Sequence, residues 1–413
     1  MSRSSLVLGL LGLCACRGAS VAEATPANLD AYLADPKLTF STFATGLGAA
    51  RQMAFAANGD LFVNHGKVSV LWDADHDGVS RDDERAVFGE ARALNHGLAF
   101  DRAQRYLYAS SDSSVYRFAY APGLHKARAP AELVVRDMPG AGHSTRTLVF
   151  DSQNRLYVSV GSASNMDTAA LDLQLRSQIR RFVIPDQLPK AGLAYASGSV
   201  VASGMRNEVG LFMAPGDRLW GVENGRDNLI DDDLGGDIHT DNPGEEINRV
   251  DVQTPRFYGY PYCFSEYKLA RGDGASAQWA DESLPRALQK SDADCRDIKQ
   301  VQPPAFVMPA HWAPLGVLQY AGDLLPFKGD LLIAAHGSWN RQPATGRLIA
   351  RAHLEQGAIQ SVTVLISERS GAGNAAQGTW GFRPVDVREA ADGSVYCSDD
   401  MGGRILRIGY SRR

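Results

Sequence analysis

The sequence predicts an all-β protein, a six-bladed β-propeller with long loop insertions, and three observations lead there. A strand–turn–strand pattern recurs six times along the 413 residues. Its copies are spaced at the length of a propeller blade. The long 3.6-residue periodicity of amphipathic helices is scarce.

The first copy runs from Gln52 to Val63, with Asn58-Gly59-Asp60 as its turn. The second pairs Gly97-Leu98-Ala99-Phe100-Asp101 with Tyr106-Leu107-Tyr108, and the third pairs Thr147–Asp151 with Leu156-Tyr157-Val158. The fourth joins Gly210-Leu211-Phe212 to Leu219-Trp220-Gly221. Gly316–Tyr320 with Asp330–Ala334, and Pro384–Val387 with Ser394-Val395-Tyr396, complete the set. Phe55, Phe100, Phe150 and Phe212 stand 45, 50 and 62 residues apart, and further strand-like runs such as Val115–Phe118 follow the pairs. Three to four strands per copy is blade size. A pair of β-sandwiches is the competing layout. Residues 227–246 and 257–310 read as insertions carried by blades, and 40–410 as one propeller domain.

Composition sets the outer limits. With 44% hydrophobic and 22% charged residues, 41 Gly and 19 Pro, the chain is neither disordered, collagen-like nor a coiled coil. Lys+Arg number 42 against 47 Asp+Glu, a net charge of -5, so there is no basic footprint for nucleic acid. Residues 1–15 read as a signal peptide: a cationic start at Arg3, then an apolar run too short to span a bilayer. The run ends Leu13-Cys14-Ala15-Cys16, which resembles a bacterial lipobox with Cys16 as the lipidated residue; ordinary cleavage between Ala19 and Ala24 is the alternative. On this reading 16–39 is a tether and the protein is periplasmic, anchored to the outer membrane by lipid alone.

Export changes how the cysteines read. Cys263, Cys295 and Cys397 remain, and two of three can pair in an oxidising compartment. Cys263 and Cys295 flank one Gly-, Ser-, Asp- and Pro-containing segment and are the expected bridge. Cys397 lies in a strand-like run and reads as a buried small hydrophobe. No pair has Cys-x-x-Cys spacing, so zinc and thioredoxin chemistry are not indicated.

The segment Asp73-Ala74-Asp75-His76-Asp77-Gly78-Val79-Ser80-Arg81-Asp82-Asp83-Glu84 matches D-x-D-x-D-G-x5-E at every defined position. Acids two apart aim oxygens at one centre, Gly78 permits the turn, Val79 offers a carbonyl and Glu84 closes the shell. The upstream run Val68–Trp72 reads as strand, so this is a structural calcium loop rather than a switching EF-hand; a solvated acidic turn is the plain alternative.

A propeller gathers the inner ends of its blades round one axis, and ligands bind there. Polar residues just before blade strands are therefore the candidates: Asn95-His96, His143–Arg146, Arg206-Asn207, His336–Arg341 and Arg383. They supply imidazole for proton abstraction and guanidinium for a polycarboxylate. No dinucleotide fingerprint, P-loop or G-x-S-x-G is present.

The same residues carry a family resemblance. Gly204–Leu211, Glu223-Asn224-Gly225-Arg226, Glu245–Val250, Tyr258-Gly259-Tyr260-Pro261 and Gly142-His143 leading to Phe150 together resemble the soluble pyrroloquinoline quinone (PQQ)-dependent glucose/sorbosone dehydrogenases, on the sorbosone or pyranose branch. The resemblance spans roughly residues 40–410 and is most specific in the middle third. It implies a six-bladed propeller binding PQQ and calcium. His143 matches the general base, Arg206 and Asn207 the cofactor-contacting pair, and Gly225 and Arg226 the Gly-Pro whose carbonyls hold calcium beside the quinone. Arg383 matches one C-terminal arginine; the second falls on Val385. The blade-five lysine has no clear match and Arg341 is the expected substitute. Ser162-Ala163-Ser164-Asn165 stands where glucose enzymes carry an acid that assists the base. His96, one blade earlier, is the rival base and a further cofactor contact.

Two function classes follow. One is an enzyme oxidising a sugar, an aldose or keto-aldose such as sorbosone, at C1: hydride passes to the quinone while His143, assisted by Arg206, takes the hydroxyl proton. Electrons then leave to a quinone or cytochrome acceptor. The other is an exported, calcium-stabilised propeller that binds carbohydrate or protein without turnover. A hydrolytic, lactonase-like propeller would need acidic side chains at the axis, whereas the clustered acids lie in 217–246, as a solvated loop or a second calcium site.

Overall fold

The computed structural model describes residues 31–140, 142–169, 175–368 and 381–411. The signal peptide, Cys16 and the first part of the tether lie outside the described residues. Among those described, no helix is long and apolar enough to cross a membrane.

Six antiparallel sheets form the blades of a propeller, each built from the strand–turn–strand copies of the sequence. Blade 1 comprises Met53–Phe55, Leu61–Asn64, Val68–Leu71 and Arg85–Gly89; blade 2 comprises Leu94–Phe100, Tyr106–Ser111, Val115–Ala119 and Glu132–Arg136. Blade 3 comprises Leu148–Phe150, Arg155–Val160, Gln178–Val183 and Ser199–Ser203; blade 4 comprises Glu208–Ala214, Arg218–Glu223, Glu245–Val250 and Phe306–Met308. Blade 5 comprises Pro314–Gln319, Leu331–Ala335, Leu348–Glu355 and Ala358–Ser367. Blade 6 takes Pro384–Glu389, Val395–Asp399 and Arg404–Tyr410 from the C-terminal end and its outer strand, Leu38–Ala44, from the N-terminal end. That pairing is antiparallel, with Phe40 opposite Ile408. The expected tether is thus shorter than 16–39. Leu38 begins blade 6, and Tyr32–Leu33 adds a fifth strand to blade 5 opposite Ile366 and Ser367. Alternating apolar side chains draw the segment in, because Leu38, Phe40 and Phe43 are buried.

The inner strands touch in order round the axis and close the ring between blades 6 and 1. Apolar clusters fill each blade-to-blade interface, such as Phe62, Phe88, Leu98 and Phe118 between blades 1 and 2, and Tyr157, Ile179, Leu211 and Leu219 between blades 3 and 4. The aromatic of each copy therefore packs between sheets. At the hub the backbones come close. A Cβ on Gly316 would lie 2.6 Å from the Val385 carbonyl oxygen, so glycine sets the approach of blades 5 and 6. Inner-strand edges left without a strand partner are bridged by side chains: Met53 N donates to Asp386 Oδ2 (2.8 Å), and Leu98 N donates to Gln52 Oε1 (2.9 Å).

Both long insertions belong to blade 4. One joins its second and third strands and carries the hairpin Ile230–Asp231/Gly236–Asp237. The other precedes its outer strand and carries the hairpin Cys263–Ser265/Gln278–Ala280 and a short helix, Asp292–Arg296, capped by Ser291. The Cys263–Cys295 disulfide ties helix to hairpin, with Cα atoms 5.8 Å apart. Cys397 is a buried free thiol.

Non-reducing peptide mapping is expected to recover Cys263 and Cys295 in one linked fragment, with Cys397 alkylating only after unfolding. Replacing both bridged cysteines with Ser should lower stability by about 3–4 kcal/mol, the chain-entropy value for a loop of this length, read by denaturant titration.

Candidate active site

In an antiparallel pair the start of one strand and the end of the next lie at the same end. The residues preceding the inner strands and those following the second strands therefore meet at one mouth of the axis. There a cavity of about 210 Å³ is lined by His143, Arg206, Asn207, Asn224, Gly225, Arg226, Asp227, Glu245, His311, His336, Trp339 and Arg383, among others.

His143 precedes the inner strand of blade 3. Its Nδ1 lies 3.0 Å from both the carbonyl oxygen and Oγ of Ser162. Bonding to the carbonyl requires a proton on Nδ1, which leaves Nε2 as the lone-pair nitrogen. Burial, then the charge of Arg206, lowers its pKa to about 4, so the imidazole is neutral at pH 7. Gly161 permits this placement, since a Cβ there would stand 2.8 Å from His143 Cβ and 2.7 Å from Asn207 Oδ1. Arg146 is a different kind of residue. It is fully buried and donates to four backbone carbonyls, those of Asp112, Pro139, His143 and Thr145. It knots the His143 loop and is not a ligand group.

Arg206 is 5% exposed. Its guanidinium is spread over Asn165 O and Oδ1, Asn224 O and Asp227 Oδ2, each at 3.0–3.2 Å. Asn165, in the segment that stands where the glucose enzymes carry an acid, thus orients Arg206, while Ser162 orients His143. Arg383 is half-buried, and its Nε has no hydrogen-bond partner among the described residues. Gly225 N donates to Glu245 Oε2 (2.8 Å), and Ala313 N to Glu245 Oε1 (2.9 Å), so one carboxylate spans blades 4 and 5. The side chain of Arg226 is drawn into the insertion by Asp281 and Ser283 Oγ. What stands at the expected metal position is therefore backbone with an anchored side chain.

Two expected contacts fall elsewhere. His96 is 1% exposed and is not among the lining residues; its Nδ1 accepts from Arg51 Nε at 3.2 Å. Burial, then the Arg51 charge, holds it neutral. Arg341 also lies off the cavity, because Asp241 and the carbonyls of Thr240 and Pro343 take its donors. Sequence reasoning missed Arg51, His311 and Asp400. Arg51 and His311 stand just before the inner strands of blades 1 and 5, so the rule that selected His143 and Arg206 would have found them. Asp400 accepts from Arg51 NH1 (2.9 Å) and faces His336 Nε2 at 2.9 Å, joining blades 1, 5 and 6.

The cation loop joins the third and fourth strands of blade 1. Oxygens of Asp73, Asp75 and Glu84 lie within 4.8 Å of one another, and Gly78 has φ +84°. Asp77, an expected ligand, is not in that group: its carboxylate is turned to Arg81, and it accepts from Val79 N (2.9 Å). Ser80 N donates to Phe43 O (2.7 Å), tying the loop to the strand that closes the ring.

Behind the cavity, Glu208, Glu223 and Glu246 face one another across blade 4, opposite in register. Asn248 Nδ2 donates to Glu208 Oε2 (3.1 Å) and Glu246 Oε2 (3.3 Å), and the backbone N of Arg206 donates to Glu223. Glu208 Oε1 and Glu223 Oε2 have no donor among the described residues, the arrangement of a carboxyl pair that shares a proton. Burial pushes Glu208 up to about 8, and Glu223 well above the usual carboxylate range. A carboxyl raised on folding contributes stability below its unfolded pKa and loses it as pH rises through the folded value. The thermal midpoint should therefore fall between about pH 5 and 8. Glu208→Gln, whose amide donates where the shared proton sat, should flatten that fall in a calorimetric pH series.

With this geometry established, the chain can be compared with known proteins. A family model described as TrAA12-like matches residues 33–411. A "Pyrroloquinoline quinone-dependent pyranose dehydrogenase" of Coprinopsis cinerea is 31% identical over 345 residues, which is 76% of this chain and 46% of that protein. The chain thus spans about half the length of that relative. A "Pyrroloquinoline quinone-dependent sugar dehydrogenase" of Hypocrea jecorina (strain QM6a) is 31% identical over 297 residues, 67% of this chain and 68% of that one. Among solved structures, the calcium structure of the Trichoderma reesei carbohydrate-active enzyme of family AA12 superposes with TM-score 0.82 at 27% identity, covering 92% of this chain and 97% of that chain.

Proposed function

The chain belongs to the TrAA12-like family, and on that premise we propose that it is a PQQ- and calcium-dependent dehydrogenase that oxidises a sugar at C1. The names of its relatives, a pyranose dehydrogenase and a sugar dehydrogenase, supply the reaction class. The observation that carries the reading is the pairing, in one cavity, of a neutral imidazole with an accessible lone pair and two guanidiniums. The donor set fits the cofactor. Arg383 keeps a buried N–H without a partner among the described residues, as expected of a site built for an anionic group. The carbonyls of Gly225 and Arg226 are hard oxygen ligands suited to calcium.

When bound, PQQ supplies the electron sink and calcium the Lewis acid beside it. The chain does the rest. Arg206, Asn207 and Arg383 would hold the cofactor's anionic groups. Ser162 fixes the His143 ring so that Nε2 takes the C1 hydroxyl proton as hydride leaves the sugar. Arg206, held by Asn165 and Asp227, keeps its charge near the base and so favours the neutral imidazole. The two electrons pass on to an external quinone or cytochrome. A second calcium at the Asp73–Glu84 loop braces the closing strand through Ser80 and Phe43. Export, with lipidation at Cys16 and a periplasmic location at the outer membrane, completes the reading and rests on the N-terminal sequence alone.

His143→Ala is expected to bind PQQ, followed by spectral titration, yet to lose about 10²–10⁴-fold in kcat. With its pKa near 4, the acid limb of kcat/KM in the parent should fall near pH 4 and not near the 6.5 of a free imidazole. Normal turnover in His143→Ala, with His96→Ala inactive, would reverse the assignment of the base. EDTA should lower the melting temperature of the parent. At 100-fold calcium over Kd the loop's share is about 2.7 kcal/mol. The double variant Asp73→Ala/Asp75→Ala should lose that share in a calorimetric scan with and without calcium.

A further inference from the structure

Among the described residues, the large exposed hydrophobic side chains are Val87, Val183, Ile230, Ile298, Met401 and one aromatic, Trp339, which is 66% exposed. Trp339 also lines the axial cavity. An indole left in water at the mouth of a polar site is an uncovered apolar surface at the place where a ligand enters.

The backbone around it is pinned, so the exposure is built in. Ser338 N donates to Thr345 O (2.9 Å) and Thr345 N to Ser338 Oγ (3.0 Å), which closes the base of the loop. Gly337 N donates to Trp312 O (2.9 Å). On the other flank Asn340 Nδ2 reaches Asp227 Oδ1 (3.2 Å), and Arg341 is held by Asp241, Thr240 and Pro343. Every neighbour from Gly337 to Arg341 is anchored, and the indole between them is not packed away. This gives Arg341 a role too, as the strut that fixes the loop.

The rest of the cavity wall offers charge and hydrogen bonds but little apolar surface, so Trp339 supplies the flat face the site otherwise lacks. A closed pyranose ring presents such a partner: one face of C–H bonds bordered by hydroxyls. We propose that Trp339 is a stacking platform for the sugar ring and sets the affinity of the site for it. The inference deepens the dehydrogenase reading and rests on it for turnover, but ring binding is measurable without turnover.

The first test uses methyl β-D-glucopyranoside, which is locked in the ring form and has no free C1 hydroxyl to oxidise. Saturation-transfer NMR on the PQQ- and calcium-loaded protein is expected to show it bound to the parent, weakened about tenfold in Trp339→Ala, and largely restored in Trp339→Phe. The factor follows from an aromatic face contact of about 1–1.5 kcal/mol. The second test is kinetic. In Trp339→Ala the KM for D-glucose should rise about tenfold, with little change in kcat. PQQ titration runs alongside. A parent that binds no locked pyranose, a Trp339→Ala variant that binds it as the parent does, or a loss of PQQ affinity in that variant overturns the platform. Ring binding that depends on Trp339 in a protein that oxidises no sugar keeps the platform and overturns the dehydrogenase reading.

Discussion

The antiparallel pairing of Leu38–Ala44 with Arg404–Tyr410 is the contact on which the rest depends. A propeller has no covalent hub, and each blade buries its faces only against its neighbours. In this chain the last blade is completed by both ends of the chain, so the ring closes through strand hydrogen bonds as well as packing. Here the closing strand also receives Ser80 N at Phe43 O, so the acidic loop of blade 1 braces the seam between the first and last blades. A cation among Asp73, Asp75 and Glu84 would stiffen that seam.

Closure determines what the centre can hold. Inner strands too close for large side chains place glycine at the approach of blades 5 and 6 and rely on side chains such as Asp386 and Gln52 to satisfy strand edges. The same convergence brings Arg51, Arg206 and Arg383 round one axis. Arg51 meets Asp400, and Arg206 meets Asp227, whereas Arg383 retains an unpartnered N–H. The charges at the centre are therefore compensated in part, and the Arg383 N–H is what an anionic ligand would meet. His143 is held neutral by its burial first and by the Arg206 charge second.

Blade 4 carries the asymmetry. Both insertions leave from it, Arg226 is anchored in one of them through Asp281, and the buried Glu208–Glu223 pair sits behind the cavity wall. The blade that shapes the site most is thus also the one that carries buried carboxyls of raised pKa and a disulfide.

The sequence by itself determined the blades, because alternation of apolar residues and turn-forming Gly, Asn and Asp are local signals that repeat. It also determined which polar residues would reach the axis: His143, Arg206, Asn207 and Arg383 precede inner strands and line the cavity. The loop from Asp73 to Glu84 and the Cys263–Cys295 bridge were legible for the same reason, since spacing within one segment carries them. Contacts between distant segments were decided by tertiary structure alone. Nothing near Arg341 in sequence shows that Asp241 takes its charge, nor near His96 that Arg51 covers it. The use of residues 32–44 as outer strands depends on partners more than three hundred residues away, in blades 5 and 6. That Trp339 is left uncovered follows from anchors on both sides of it. Each of these depends on which side chains meet across the ring, and a chain read residue by residue does not contain that information until the ring has closed.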